Sequence, residues 1–257
     1  MADKPSRGLI LYGDGLSRFI QPSHTHLHSL ASIANCGFLS LPNSPPSESE
    51  DDRIVREFAV LVDAFEALHK NEQFSSESKS QNSSLIPSIS ERFMGMKAAI
   101  LSNNSSLKSF GENSALIGDA AVSDVEFMNA LLGAIMSIAT PGAEVGSRLL
   151  LSLVMSYGYV SKAGDPGLSI LSNKDEKNPH LSVLLPKQSY TMRGESPRND
   201  VRPMLFAQYQ YSVTRKDMVE TFSFEDFKER SGNLTIPAGR MLHEVAFKLW
   251  KAPKYGA

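Results

Sequence analysis

One cysteine, Cys36, and one tryptophan, Trp250, are all that 257 residues hold of either type. The lone thiol excludes an internal disulfide and any cysteine-rich zinc module, which fits a reducing compartment: the cytosol, or alternatively a plastid. Cys36 itself reads as a small buried apolar residue rather than a reactive thiol. Long apolar runs are missing too. Stretches such as residues 149–155 fall far short of the ~18–20 residues a membrane span needs, and the opening MADKPSRG has no signal-peptide core. A soluble protein with no membrane partner is expected. Charge of one sign is also lacking: 26 Lys and Arg face 28 Asp and Glu, a net of −2, so no global field exists to hold nucleic acid. Finally, neither phosphate-binding glycine motif, Gly-x-x-x-x-Gly-Lys-Ser/Thr or Gly-x-Gly-x-x-Gly, occurs, and no Gly-x-Ser-x-Gly.

What is present alternates between short apolar runs and helical patterns. Residues 8–12 (GLILY) read as a buried strand stopped by Gly13 and Gly15, which puts Asp14 at its carboxyl end. PSHTHLHSLASIANCG reads as a helix with Leu27, Leu30, Ala31 and Ala34 inward, capped by Ser23 and closed by Gly37. A helix is expected over 52–70, and a mobile polar stretch, rich in serine, over 71–84. Residues 97–101 (KAAIL) form a second strand and 107–110 a brief helix. The clearest helix follows, with Ser123 and Glu126 as a capping box and Pro141-Gly142 as its end. Residues 148–156 (RLLLSLVMS) form a third strand.

Beyond it come an apolar stretch at 181–185, a basic loop over 187–202, a strand over 204–213 and a helix after Ser223. A last helix runs over 237–250, with Pro237 at its first position and Trp250 packed inward. Strands alternating with helices give an α/β fold: one domain over 1–257, with a mostly parallel sheet flanked by helices. The three apolar runs are expected as neighbours in that sheet.

Ligands of open α/β sheets gather beyond the carboxyl ends of strands, where Asp14, residues 102–106 and residues 156–158 fall. Asp14 in Gly-Asp-Gly suits a divalent metal or a phosphate-bearing substrate, and equally suits a turn residue bonded to its own backbone. His24, His26 and His28 would point one way on a strand, like a zinc site. On a helix only His24 and His28 share a face, without a third ligand. The loop holding Lys187, Arg193, Arg198 and Arg202 could grip a phosphate or an acidic partner, although Glu195 and Asp200 dilute it.

Together "LILYGDGL" and "PSHTHLHSLASIANCGF" resemble the opening of the alkaline phosphatase superfamily, in its cofactor-independent phosphoglycerate mutase branch. "GMKAAILSNNSSLKSFGE", "GDAAVSDVEFMNALLGAIMSIA" and "RLLLSLVMSYG" resemble later elements of that branch, and the ending "HEVAFKLWKAPKYGA" resembles that of plant proteins of similar length. The resemblance implies an alkaline-phosphatase-like three-layer core, with Asp14 at the first metal-ligand position. Ser156 and Tyr157 stand where active members carry Asp-His. The nucleophilic serine would lie in SLPNSPPSES, with Ser44 and Ser47 as candidates, and Arg193 and Arg198 are candidate phosphate ligands. Between Phe110 and Gly118 no histidine occurs, and the sequence leaves open whether that short connection is a real deletion of a strand and its metal loop.

The resemblance therefore implies a degenerate, non-catalytic protein, a pseudoenzyme. It would hold no metal cofactor and would bind a phosphorylated ligand or another protein. The alternatives are a phosphatase or phosphomutase using Asp14 with zinc or manganese, and a purely structural subunit.

Overall fold

The computed structural model describes residues 4–41, 48–65, 87–112, 115–119, 124–158, 203–211, 214–230 and 235–253. In chain order its strands are β1 (Arg7–Gly13), β2 (Asn35–Ser40), β3 (Ala99–Ser102), β4 (Leu116–Asp119), β5 (Leu149–Met155), β6 (Met204–Tyr209) and β7 (Thr235–Pro237). Its helices are α1 (Thr25–Ile33), α2 (Glu50–Leu61), α3 (Ile89–Arg92), α4 (Ser105–Gly111), α5 (Val125–Ile138), α6 (Glu144–Arg148), α7 (Phe224–Arg230) and α8 (Met241–Lys248). Short 3-10 turns occupy Leu16–Phe19 and Ala238–Arg240. The chain groups into two compact units. Residues 1–9, 44–150 and 238–257 make one, and residues 10–43 and 151–237 the other.

The second unit is built on a sheet of order β1-β5-β6-β2-β7. β1 and β5 run parallel, since the Ser6 amide donates to the Arg148 carbonyl at one end and the Ser156 amide to the Gly13 carbonyl at the other. β2 and β7 are parallel, and β6 is antiparallel to both β5 and β2. Four strands thus share one direction, giving a mixed α/β fold with a mostly parallel sheet. Residues 150–155 of β5 and 204–208 of β6 are buried without a break, as strands covered on both faces must be. The one polar pair inside, Ser152 opposite Gln208, satisfies itself through a 3.0 Å bond from Gln208 Nε2 to Ser152 Oγ. α1 buries Leu27, Leu30 and Ala31. α7 buries Phe224 and Phe227, and the Phe224 ring packs 5.1 Å from Phe38 of β2.

In the first unit, β3 and β4 form a separate parallel pair joined through α4. Gly111 of α4 lies under Ile100 and Ile117: a Cβ there would stand 2.7 Å from Ile117 Cδ1 and 3.2 Å from Ile100 Cδ1. α2 meets this group through Phe58, whose ring is 6.2 Å from Phe110 and edge-on to it. Ser49 caps α2, accepting from the Asp52 amide, and Glu50, Asp51 and Asp52 in the first turn favour the helix dipole. At its other end Arg92 donates to the Val62 and Asp63 carbonyls at 2.9 and 2.8 Å. β1 begins against α8, where Gly8 leaves room for Leu249; a Cβ would come within 3.1 Å of its Cδ1.

After α2, α3 and α8, three non-glycine residues, Asp63, Met94 and Trp250, close the helix at φ 54, 45 and 62°. Left-handed backbone costs an L-residue about 1–2 kcal/mol, and glycine escapes this. Met94 is 70% exposed, so its side chain contributes little. Met94→Gly is therefore expected to raise stability by about 0.5–1 kcal/mol after the entropy glycine adds to the unfolded chain. A fall in the urea midpoint would contradict this.

Several sequence expectations need correction. The three apolar runs do not share one sheet: β1 and β5 are neighbours, but among the described residues β3 pairs with β4 alone. Gly37 does not close a helix. α1 ends at Ile33, and β2 begins two residues later with Gly37 in its buried middle. His24, not Ser23, is the N-cap residue of α1, and its side chain does not cap the helix amides. α2 stops at Leu61 because Val62 and Asp63 leave helical geometry. Asp124 caps α5, accepting from the Phe127 amide at 2.8 Å, in place of the Ser123 and Glu126 box.

A strand does exist between Phe110 and Gly118. It is β4, formed because Leu116 and Ile117 pair in register with Ala99 and Ile100. β6 ends at Tyr209, and Pro237 is the last residue of β7 rather than the first of a helix. Trp250 is 64% exposed, since the left-handed turn at the end of α8 directs it away from the buried stripe. Lys4 Nζ lies 3.3 Å from its ring centroid. The expected mobile stretch over 71–84, the stretch at 181–185 and the basic loop over 187–202 lie outside the described residues.

Candidate functional site

β1 and β5 are adjacent and parallel, so the residues just past their carboxyl ends, Asp14 and Ser156, meet. Glycine permits the approach. Gly15 and Gly158 take φ values of 66 and 63°, and a Cβ on Gly158 would stand 2.9 Å from Gly15 Cα. Any side chain at Gly158 would push the two turns apart.

The Ser156 hydroxyl sits between those turns, with the residue only 2% exposed. Its oxygen accepts from the Gly15 amide at 2.9 Å and the Gly158 amide at 3.2 Å, and its proton goes to Asp14 Oδ1 at 2.8 Å. One donor and two lone pairs are all a serine hydroxyl has, so it is fully used. The Tyr12 hydroxyl donates to the same Asp14 oxygen at 3.2 Å. The backbone is tied as well, with the Ser17 amide donating to the Ser156 carbonyl at 3.1 Å. By residue type Asp14 suits either a metal ligand or a residue bonded to its own turn. Its carboxylate in fact receives two side-chain hydroxyls, and the turn amide of Gly15 is capped by Ser156.

Burial raises the Tyr157 phenol above its ordinary range, and the Glu225 carboxylate adds to that, so the ring stays protonated near neutrality. Burial likewise pushes the Cys36 thiol up. Asp217 and Asp226 reinforce the effect and Arg215 opposes it, which disfavours the thiolate. Its amide donates to Asp217 Oδ2 at 2.9 Å, which pins the loop before α7 to β2.

The histidines are structural ties. His24 is buried, and its Nδ1 accepts from the Gln21 amide at 2.7 Å. His28 Nδ1 accepts from the Phe222 amide at 3.0 Å, which leaves Nε2 to donate to the Gln21 carbonyl at 3.0 Å. His26 is exposed.

A zinc or manganese site needs several anionic or imidazole donors converging on one point. Asp14 brings one carboxylate, already accepting two hydroxyl protons, and Ser156 turns its proton toward that carboxylate. Among the described residues no group of three or more His, Cys, Asp or Glu could hold a metal. The donors at these two strand ends do not fit the zinc or manganese centre of the alternative, catalytic reading. Ser44, Ser47, Arg193 and Arg198 lie outside the described residues, so of the expected site only Asp14 and the strand end at Ser156 and Tyr157 are placed. Among the described residues no helix is long and apolar enough to cross a membrane.

Sequence reasoning placed Gly15 and Gly158 at two strand ends but missed that they meet. Their signal was a glycine at the same stage after each of two apolar runs, in "GDGL" and "SYGY". Set against known proteins, the chain matches no family model, no curated protein and no solved structure.

Proposed function

We propose that this chain is a non-catalytic protein of the alkaline phosphatase and phosphoglycerate mutase type, with a binding or scaffolding role toward a phosphorylated ligand or another protein. Its sheet would be the central layer of that three-layer core, and its site of action the cytosol or a plastid. One observation carries the reading. At the strand end where the resemblance puts an Asp-His pair, Ser156 donates its hydroxyl to Asp14 and caps two backbone amides. A position that ligates metal in active members closes the two turns in this chain.

Metal content and turnover of the purified full chain test this. After dialysis against zinc or manganese, the protein is expected to hold no stoichiometric metal, and to show no phosphatase or phosphoglycerate mutase activity above a blank. Asp14→Asn is expected to change stability by no more than about 1 kcal/mol, because the amide oxygen still accepts both hydroxyl protons. One metal per chain, released by Asp14→Asn, would establish instead a working phosphatase or phosphomutase.

A further inference from the structure

Residues 214–223, ahead of α7, are tied to α1 and the start of β2 at two points. At the first, the Asp217 amide donates to the Ala34 carbonyl at 3.2 Å, and Asp217 Oδ2 accepts from the Cys36 amide at 2.9 Å. At the second, the Phe222 amide donates to His28 Nδ1 at 3.0 Å. Between them Val219 is fully buried, and the buried Phe222 ring packs 5.0 Å from Phe227. The two ties differ in chemistry. One uses a carboxylate and a carbonyl, the other an imidazole.

A backbone amide can only donate, so His28 Nδ1 carries no proton, and the ring is neutral with its proton on Nε2. That proton goes to the Gln21 carbonyl at 3.0 Å. His24 repeats the arrangement, its Nδ1 accepting from the Gln21 amide at 2.7 Å, so Gln21 is held by both rings. Protonating His28 would set an N–H against the N–H of Phe222, and that bond would be lost.

The surroundings of His28 do not favour the cation. Among the described residues its partners are the Phe222 amide and the Gln21 carbonyl, with no carboxylate. β6, which packs against α1, carries Tyr209 as its one titratable side chain. In the tied segment Arg215 pairs with Asp217 and Glu220 with Arg230, each at 2.8 Å, while Lys216 is exposed. Asp226 of α7 is held by Arg230 and by the Glu220 and Thr221 amides. α1 itself adds His24 and His26, and its first turn has no acidic residue, so the helix dipole also opposes a positive charge at that end.

We infer that residues 218–223 are an acid-released strap: protonation of His28 frees the Phe222 end from α1 while the Asp217 end stays attached. Mild acid reaches an imidazole well before a carboxylate, so the two ties part company as pH falls. The sign is fixed by the geometry. The loosened strap takes up a proton at Nδ1 that the fastened one cannot, so the fastened form is favoured as pH rises and lost as it falls.

Nuclear magnetic resonance of the full chain, over a series from about pH 7.5 to about pH 5, tests this. Side-chain nitrogen shifts report the protonation of His28, and amide exchange, corrected for its intrinsic pH dependence, reports protection at Phe222. At the upper end His28 is expected to be neutral with its proton on Nε2. Protection at Phe222 is expected to fall about tenfold or more along the His28 protonation curve, while the amide of Ala207, buried in β6, stays protected. His28→Ala should leave Phe222 poorly protected at every pH in the series.

Protection at Phe222 that is constant with pH, or that falls away from the His28 curve, would overturn the inference. So would an equal loss at Ala207, which would mean that acid unfolds the sheet rather than the strap. A His28→Ala variant that keeps Phe222 protected, or keeps the pH dependence, would overturn it as well, since the amide would then be held by another group.

Discussion

Glu57→Ala is expected to cost about 3–5 kcal/mol of folding stability, the range for removing one partner of a buried ion pair. α2 carries charge into the interior: Arg53, Arg56 and Glu57 are 2, 5 and 4% exposed. Glu57 Oε2 lies 3.2 Å from Arg53 Nη1, and its other oxygen 3.9 Å from Arg56 Nη2. Arg56 is further held by Glu48, at 2.6 Å from Nε and 3.1 Å from Nη2, in a two-pronged pair. Glu50 also reaches Arg53, at 3.5 Å, but is 69% exposed and so is screened by water. Alanine at 57 removes the buried carboxylate facing both guanidinium groups.

Replacing Glu57 and Arg53 together by leucine should cost much less than Glu57→Ala, because no charge is then stranded. Urea titrations of the two variants make the comparison. A loss under about 1 kcal/mol for Glu57→Ala would show that the arginines are solvated in a way their burial does not suggest.

Ser156→Ala is the second large effect, expected at about 2–5 kcal/mol. The alanine leaves the Gly15 and Gly158 amides without their acceptor in a buried place, at about 1–3 kcal/mol for each stranded donor. Asp14 also loses its nearer hydroxyl. Asp14→Asn, which keeps an acceptor, should be several-fold milder, and the contrast is the point. If Asp14→Asn proved the costlier change, the carboxylate charge would be the central element of the site and Ser156 an accessory. Amide exchange at Gly15 and Gly158 gives an independent reading, since both should become faster in Ser156→Ala and stay slow in Asp14→Asn.

The apolar runs of β1 and β5 were legible, because Leu9 to Tyr12 and Leu149 to Met155 leave few polar residues to place elsewhere. The strand after α1 was not. In "ASIANCGFLS" helix passes into strand across a single residue, Ala34, with no turn residue to mark it. Gly37 then carries the usual sign of a helix end while sitting opposite Phe206 in the sheet. β4 is four residues long and has no period of its own; its pairing with β3 defines it.

Sheet membership was beyond reach for a different reason. Periodicity reports which face a segment buries, and says nothing about which strand lies beside it. Asp14 could be placed at a strand end from sequence. That a serine 142 residues away would take its place in the turn could not, because one serine after an apolar run looks like any other.

Strand order also governs how quickly this protein can form. Among the described residues, only β5 with β6 of the four pairings in the larger sheet joins strands that follow one another in the chain. β2 must wait for partners at residues 204–208 and 235–237. Each such pairing closes a long loop before any contact rewards it, which places the protein among slow folders, in the millisecond-to-second range or beyond. During synthesis the buried strand "NCGFLS" leaves the ribosome some 200 residues ahead of β7, at about 5–20 residues per second. Its nearer partner β6 follows about 160 residues later, so for about eight seconds or more, by that rate, a strand whose inner residues belong in a core has no sheet neighbour. Control of aggregation in this interval falls to whatever holds nascent chains, and a higher rate of synthesis should lower the soluble yield before it lowers the stability of the molecules that do fold.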